Sequence, residues 1–159
     1  VLFRSWQNHK VYVYDVKDIS KPIDTLKWNY DGWGITHDST NLYISDGSSN
    51  IYKVNPTNLE IQSAISVQVG KGKVDAINEL EYVNGYIYAN KYTTEYILKI
   101  DAKTGQVAGV ATFSNLLTKT DILPDPQEDV LNGIAYNPTT GTFFITGKCW
   151  PKMFEVKMD

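Results

Sequence analysis

The chain has 159 residues, and its 15 Lys and Arg against 18 Asp and Glu give a formal charge of -3. With no basic cluster longer than a residue or two, that balance argues against nucleic acid or an anionic membrane surface as a partner. Nor does any apolar run approach a membrane span. Eleven Tyr, five Phe and four Trp, with many β-branched residues and short Gly, Asn and Asp punctuation, favour strands over helices. The one cysteine, Cys149, cannot form an internal disulfide, so packing must hold the fold.

Taken in chain order, period-2 alternation comes in short bursts at 11–14, 41–45, 51–54, 86–89, 97–100, 142–145 and 154–156. Turn signals close them: Asp46-Gly47, Asn55-Pro56, Asn84-Gly85, Thr104-Gly105 and Asn137-Pro138. The pattern predicts antiparallel meanders with tight hairpins. It also repeats. Gly34-Ile35-Thr36-His37 leading to Leu42-Tyr43-Ile44-Ser45 matches Leu80-Glu81-Tyr82-Val83 leading to Ile87-Tyr88-Ala89-Asn90, and both match Gly133-Ile134-Ala135-Tyr136 leading to Phe143-Phe144-Ile145-Thr146. Ile44 and Tyr88 are about 44 residues apart, the length of one four-stranded propeller blade.

The expected fold is therefore all-β, a partial β-propeller of about three and a half blades. Residues 1–31 end one blade, 32–71 and 72–114 form two more, and 115–159 hold an insertion and the last blade. Because a ring needs at least four blades, the ring is expected to be open, with aromatic faces exposed near Trp28 or Trp150. The stretch 115–129 lacks alternation and contains Pro124 and Pro126, so it reads as a loop or a short helical excursion. Its acids Asp121, Asp125, Glu128 and Asp129 lack the glycine and spacing of a calcium loop and read as a solvated insertion. His9 and His37 have no partners at zinc-ligand spacing.

Six segments carry a family resemblance: Gly32-Trp33-Gly34-Ile35-Thr36, Ser45-Asp46-Gly47-Ser48, Ile77-Asn78-Glu79-Leu80-Glu81-Tyr82, Tyr88-Ala89-Asn90, Asp129-Val130-Leu131-Asn132-Gly133-Ile134-Ala135, and Thr146-Gly147-Lys148-Cys149-Trp150-Pro151-Lys152. In order and spacing they resemble the plant and bacterial type of glutaminyl-peptide cyclotransferase. That resemblance implies a five-bladed propeller, an active site at one mouth of the central channel, no cofactor and no catalytic metal. The implied reaction converts the N-terminal glutamine of peptides or proteins into pyroglutamate with release of ammonia. It also implies a secreted, periplasmic or endomembrane setting. The family's first blades, with the Glu thought to shuttle protons, would lie upstream of Val1, so the 159 residues by themselves are expected to be inactive.

Closing the ring requires a neutral α-amine, donors for an oxyanion on the amide, and a proton for the departing nitrogen. By resemblance, Trp6, Trp33 and the position of Tyr92 match channel aromatics that enclose substrate, Asn78 a channel amide, and Lys148 a channel cation. The family has Trp where this chain has Tyr92, which keeps an aromatic wall and adds a hydroxyl. Asn132 and Glu79 are added as candidates because they fall where inner strands begin, with Glu79 the only acid in a matched motif near the site. From the residues alone the ordinary readings differ: Trp6 and Trp33 as inter-blade core, Asn78 and Asn132 as turn caps, Lys148 as a solvated lysine. A second function fits the same fold, a non-catalytic propeller that binds a peptide end or small ligand in its channel.

Overall fold

The alternating bursts form strands because each sends successive side chains into two different apolar seams. A computed structural model describes residues 2–5, 9–118 and 121–158. Its strands are β1 (Leu2–Ser5), β2 (Lys10–Val13), β3 (Asp24–Lys27), β4 (Gly34–His37), β5 (Leu42–Ser45), β6 (Asn50–Val54), β7 (Ile61–Ser66), β8 (Gln68–Val69) and β9 (Gly72–Lys73). They continue with β10 (Ile77–Val83), β11 (Tyr86–Lys91), β12 (Tyr96–Asp101), β13 (Val107–Thr112), β14 (Leu131–Asn137), β15 (Thr142–Gly147) and β16 (Phe154–Val156). Each meander is antiparallel with neighbours in chain order: β1-β2-β3, β4-β5-β6-β7, β10-β11-β12-β13 and β14-β15-β16, with β8 and β9 as a small ribbon.

Local chemistry fixes the hairpins. Val83 pairs with Tyr86 across Asn84-Gly85, whose φ angles of 49° and 88° suit the two-residue turn that matches strand twist. At the β4–β5 turn the Asp38 carboxylate accepts from the Thr40 and Asn41 N–H groups at 2.7 and 2.6 Å. Three later turns share one geometry: the N–H groups of Leu59, Gly105 and Gly141 donate to the carbonyls of Asn55, Asp101 and Asn137, each at 2.9 Å.

Three apolar clusters join the four larger sheets in sequence. Val11, Trp28, Leu42, Ile44 and Val54 join the first sheet to the second. Tyr43, Ile51, Ile77, Leu80, Ile87 and Leu98 join the second to the third, and Tyr88, Ile97, Leu131, Ile134 and Phe143 join the third to the fourth. Neighbours in the chain therefore serve different seams, which is why every residue of β5 is buried. No cluster joins the first sheet to the fourth among the described residues. The array is an open arc of propeller sheets.

The seams carry polar staples, from β4 and β5 to β10 and from β11 to β14. Thr36 Oγ1 accepts from Tyr82 N–H at 2.8 Å, the Ser45 hydroxyl donates to the Asn78 carbonyl at 2.6 Å, and Asn90 Oδ1 accepts from Gly133 N–H at 3.0 Å. Gly34 is required here, since a Cβ would collide with the Asn78 carbonyl oxygen.

Two expectations need correction. Trp28 itself is only 2% exposed, because the first sheet folds over it and Tyr52 meets its ring edge-on at 6.0 Å, and the exposed aromatic near it is Tyr30, at 44%; Trp150 is half-buried against Phe154. The 121–129 stretch is a loop, one of the two forms expected of it, and most of it is exposed, but not all four of its acids are simply solvated. Asp129 is 7% exposed and accepts from Asp125 N–H within the insertion, while Asp121 pairs with Lys152 at 2.7 Å and so ties the insertion to the segment between β15 and β16.

Candidate active site

The strands β10 and β14 each carry a bulge near their first residues, between Ile77 and Leu80 and between Leu131 and Ile134. A bulge re-aims side chains, and bulges concentrate beside functional sites. Here they contain Asn78 and Asn132, both of which line a cavity of about 350 Å³. Gly32 and Trp33, just before β4, line it as well, so the beginnings of three facing strands converge on one space. The remaining wall is Tyr92, Glu128 and Lys148.

Each side chain is held by its own local structure. The Trp33 indole lies so close over Gly47 that a Cβ there would stand 2.6 Å from the ring, and Gly47 also adopts φ 83°. Trp33 meets Tyr92 edge-on, with ring centroids 5.3 Å apart. Tyr92 is set by its N–H donating to the Ala76 carbonyl at 2.8 Å. Asn78 is buried with its carbonyl held by Ser45, whereas Asn132 Oδ1 is buried without a protein partner. The Lys148 N–H donates to the Val130 carbonyl at 3.1 Å, tying the end of β15 to the residue directly before β14. Its ammonium sits 4.4 Å from the Tyr92 ring centroid and donates to the Tyr92 hydroxyl at 2.9 Å. That hydroxyl donates in turn to Glu128 Oε2 at 2.5 Å.

Of the residues singled out in the sequence, Trp33, Asn78, Tyr92, Asn132 and Lys148 are brought together. Trp6 lies outside the described residues. Glu79 is not among the lining residues. Its carboxylate is engaged in the seam between β10 and β14, accepting from Ile134 N–H at 3.2 Å. Burial pushes the Glu79 carboxyl up to about 8, opposed by the Ile134 N–H and reinforced by the nearby charge of Glu81. Glu81 is also raised by burial and accepts from Tyr136 N–H at 2.9 Å in the same seam.

Glu128 is the cavity residue that sequence reasoning missed. In the sequence it reads as one of four solvated acids, although it directly precedes the Asp129 to Ala135 motif and stands four residues before Asn132. Among the described residues no three His, Cys, Asp or Glu side chains gather as a metal site would require.

The site thus combines an aromatic wall, two amides, one cation and one carboxylate at the mouth of a partial propeller, a set suited to enclosing a small polar group and stabilising charge on it. The chain belongs to the glutamine cyclotransferase family, whose sequence model matches residues 1–158. It is 32% identical over 156 residues to the glutaminyl-peptide cyclotransferase of Arabidopsis thaliana, covering 97% of this chain and 48% of that protein. It superposes on the crystal structure of Myxococcus xanthus glutaminyl cyclase with a TM-score of 0.85 at 34% identity, covering 97% of this chain and 66% of that one. The chain therefore spans about half the length of the plant relative and just under two thirds of the bacterial chain.

Proposed function

We propose that this chain forms the substrate-holding part of a glutaminyl-peptide cyclotransferase, which acts on peptides or proteins with an N-terminal glutamine. The observation that carries this reading is the convergence of Trp33, Asn78, Tyr92, Asn132 and Lys148, drawn from three sheets, on one cavity. In the reaction the α-amine attacks the side-chain amide carbon, a C–N bond closes the ring, and the original amide nitrogen leaves as ammonia. Both reacting groups belong to one residue, so the protein has to restrict their conformation more than bring them together. Trp33 and Tyr92 supply the walls that exclude water. The Asn78 and Asn132 amides can hydrogen-bond the substrate, and the unpartnered Asn132 Oδ1 gives one of them a reason to do so.

Lys148 is the donor for the oxyanion that develops on the amide oxygen. Proton handling is the other requirement, because the amine must be neutral to attack and its free pKa is about 7.7–8.0. Glu79 follows Asn78 in the bulge, but its carboxylate is engaged in the β10–β14 seam and does not line the cavity, so the protonation of departing ammonia is not assigned to it.

The experiment is ammonia release from glutaminyl-alanine, measured on the 159-residue chain and on the same chain preceded by the amino-terminal part of the bacterial relative. Turnover by the extended form supports the reading. Binding of the dipeptide without turnover by either form would favour the non-catalytic propeller instead.

A further inference from the structure

Tyr92 and Lys148 enter the cavity from two equivalent turns. Each turn follows directly on the second strand of its sheet, β11 or β15. Thr94 N–H donates to the Lys91 carbonyl in one and Trp150 N–H to the Gly147 carbonyl in the other, both at 3.2 Å. Tyr92 and Lys148 are the second residues of these turns, and Thr93 and Cys149 are the third, with φ of 61° and 53°. A turn with positive φ at its third residue alone is one that glycine ordinarily fills, and for a β-branched residue such as Thr93 the conformation is an outlier. The outer turns at Leu59, Gly105 and Gly141 make the contrast, since two of those three left-handed positions are glycine. A further left-handed residue, Ala76 at φ 58°, offers its carbonyl to the Tyr92 N–H and stands two residues before Asn78.

Both strained residues are held by bonds of their own. The Thr93 hydroxyl donates to the Tyr92 carbonyl at 2.7 Å, and the Thr94 hydroxyl to the Lys91 carbonyl at 2.6 Å. The Cys149 thiol hydrogen-bonds the Asp129 carboxylate, which pushes the thiol up, and the Trp150 indole N–H donates to the Asp129 carbonyl at 2.8 Å. Backbone strain persists only where the surroundings over-determine it, and it gathers at functional sites. Glycine would adopt these angles without steric cost but would also reach much of the remaining backbone space, whereas a side chain confines the third residue to one narrow well. The second residue then leaves the turn in one fixed direction. Two such directions meet where Lys148 Nζ donates to the Tyr92 hydroxyl at 2.9 Å. We propose that Thr93 and Cys149 are positioning residues, whose left-handed backbone aims Tyr92 and Lys148 into the cavity at the expense of folding stability. This rests on the cyclotransferase reading and adds the residues that aim two members of its site.

Thr93→Gly and Cys149→Gly are made in whichever form releases ammonia, and kcat/KM for glutaminyl-alanine is set beside the urea midpoint. Each variant is expected to lower kcat/KM about 10-fold, less than the loss of about 10²-fold that a misplacement of about 1 Å can bring. Its urea midpoint should stay level or rise, because glycine relieves the left-handed strain. Thr93→Ser and Cys149→Ser, which keep a side chain and its donor, should stay within about threefold of the parent. In a Lys148→Ala background Cys149→Gly should cost no more than about twofold further, since the side chain it aims is gone. Each residue stands or falls on its own glycine variant. Unchanged kcat/KM, or a loss matched by a lower urea midpoint, overturns its role, and for Cys149 so does an undiminished loss in the Lys148→Ala background. If no form releases ammonia, the function reading fails separately, and amide hydrogen exchange on the 159-residue chain decides the positioning. Exchange at the Tyr92 or Lys148 N–H that quickens about 10-fold in the matching glycine variant, with Ile44 and Ile87 unchanged, supports it; unchanged exchange at that N–H, or equal quickening at Ile44 and Ile87, rejects it.

Discussion

At the residue scale, Lys148 and Glu79 illustrate two ways in which a site depends on its surroundings. Lys148 is exposed at the cavity and held by a single hydroxyl and an aromatic face, so its removal should cost chemistry more than folding. Lys148→Ala is expected to lower kcat by about 10²- to 10³-fold, as for a lost oxyanion donor, while the urea midpoint stays near that of the parent. Steady-state kinetics beside urea titration would check both halves. Glu79 is the opposite case, an acid whose proton is bound more tightly in the folded chain than in the unfolded one. Its folded pKa of about 8 stands above the ordinary 4.5, so its contribution to stability is complete below 4.5 and is lost as pH rises through 8. Stability is therefore expected to decline between those limits, and Glu79→Gln should flatten the decline, as read from urea midpoints at pH 5, 6.5 and 8. Since its carboxylate is engaged in the seam and not at the cavity, kcat should be unaffected by the same variant.

At the element scale, two glycines separate two different costs. Gly85 lies in the β10–β11 hairpin with φ 88° and open space around the missing Cβ, so Gly85→Ala meets conformational strain alone, about 1–2 kcal/mol. Gly34 has no such φ, but its missing Cβ would collide with the Asn78 carbonyl, so Gly34→Ala must push β4 away from β10. Gly34→Ala is expected to be the more destabilising of the two in urea titration and also to weaken dipeptide binding, because Trp33 and Asn78 flank the displaced contact.

The same elements show what could be read in advance. The second strands of the two middle sheets, Leu42–Ser45 and Tyr86–Lys91, were legible because both their faces are buried and turn residues bracket them. The fourth strands were not. Ile61–Ser66 is mostly exposed and Val107–Thr112 is half small residues, so neither carries a strong apolar signal, and only pairing with β6 and β12 makes them strands. Trp33, Asn78, Tyr92 and Lys148 could be named through the family resemblance, and Asn132 through its place at the start of an inner strand. Glu128 could not, since its role depends on a turn that returns the insertion to Tyr92, and no spacing rule encodes that contact.

At the scale of the whole molecule, the alternation of side chains between seams has a consequence for how substitutions combine. Tyr43 stacks on Tyr82 across the second and third sheets, with ring centroids 5.6 Å apart and planes inclined by 9°. Ile44, its immediate neighbour, points the other way and packs with Val11, Trp28 and Leu42. Tyr43→Leu and Tyr82→Leu should therefore fall short of additivity by about 0.5–1.5 kcal/mol, the usual worth of an aromatic pair beyond its buried area. Tyr43→Leu and Ile44→Val should add to within about 0.3–0.5 kcal/mol, despite the peptide bond that joins them. Urea titration of the two double-mutant cycles would measure the difference. Energetic kinship in this protein thus follows the parity of a residue along its strand: adjacent positions can vary independently, while positions a whole blade apart must vary together.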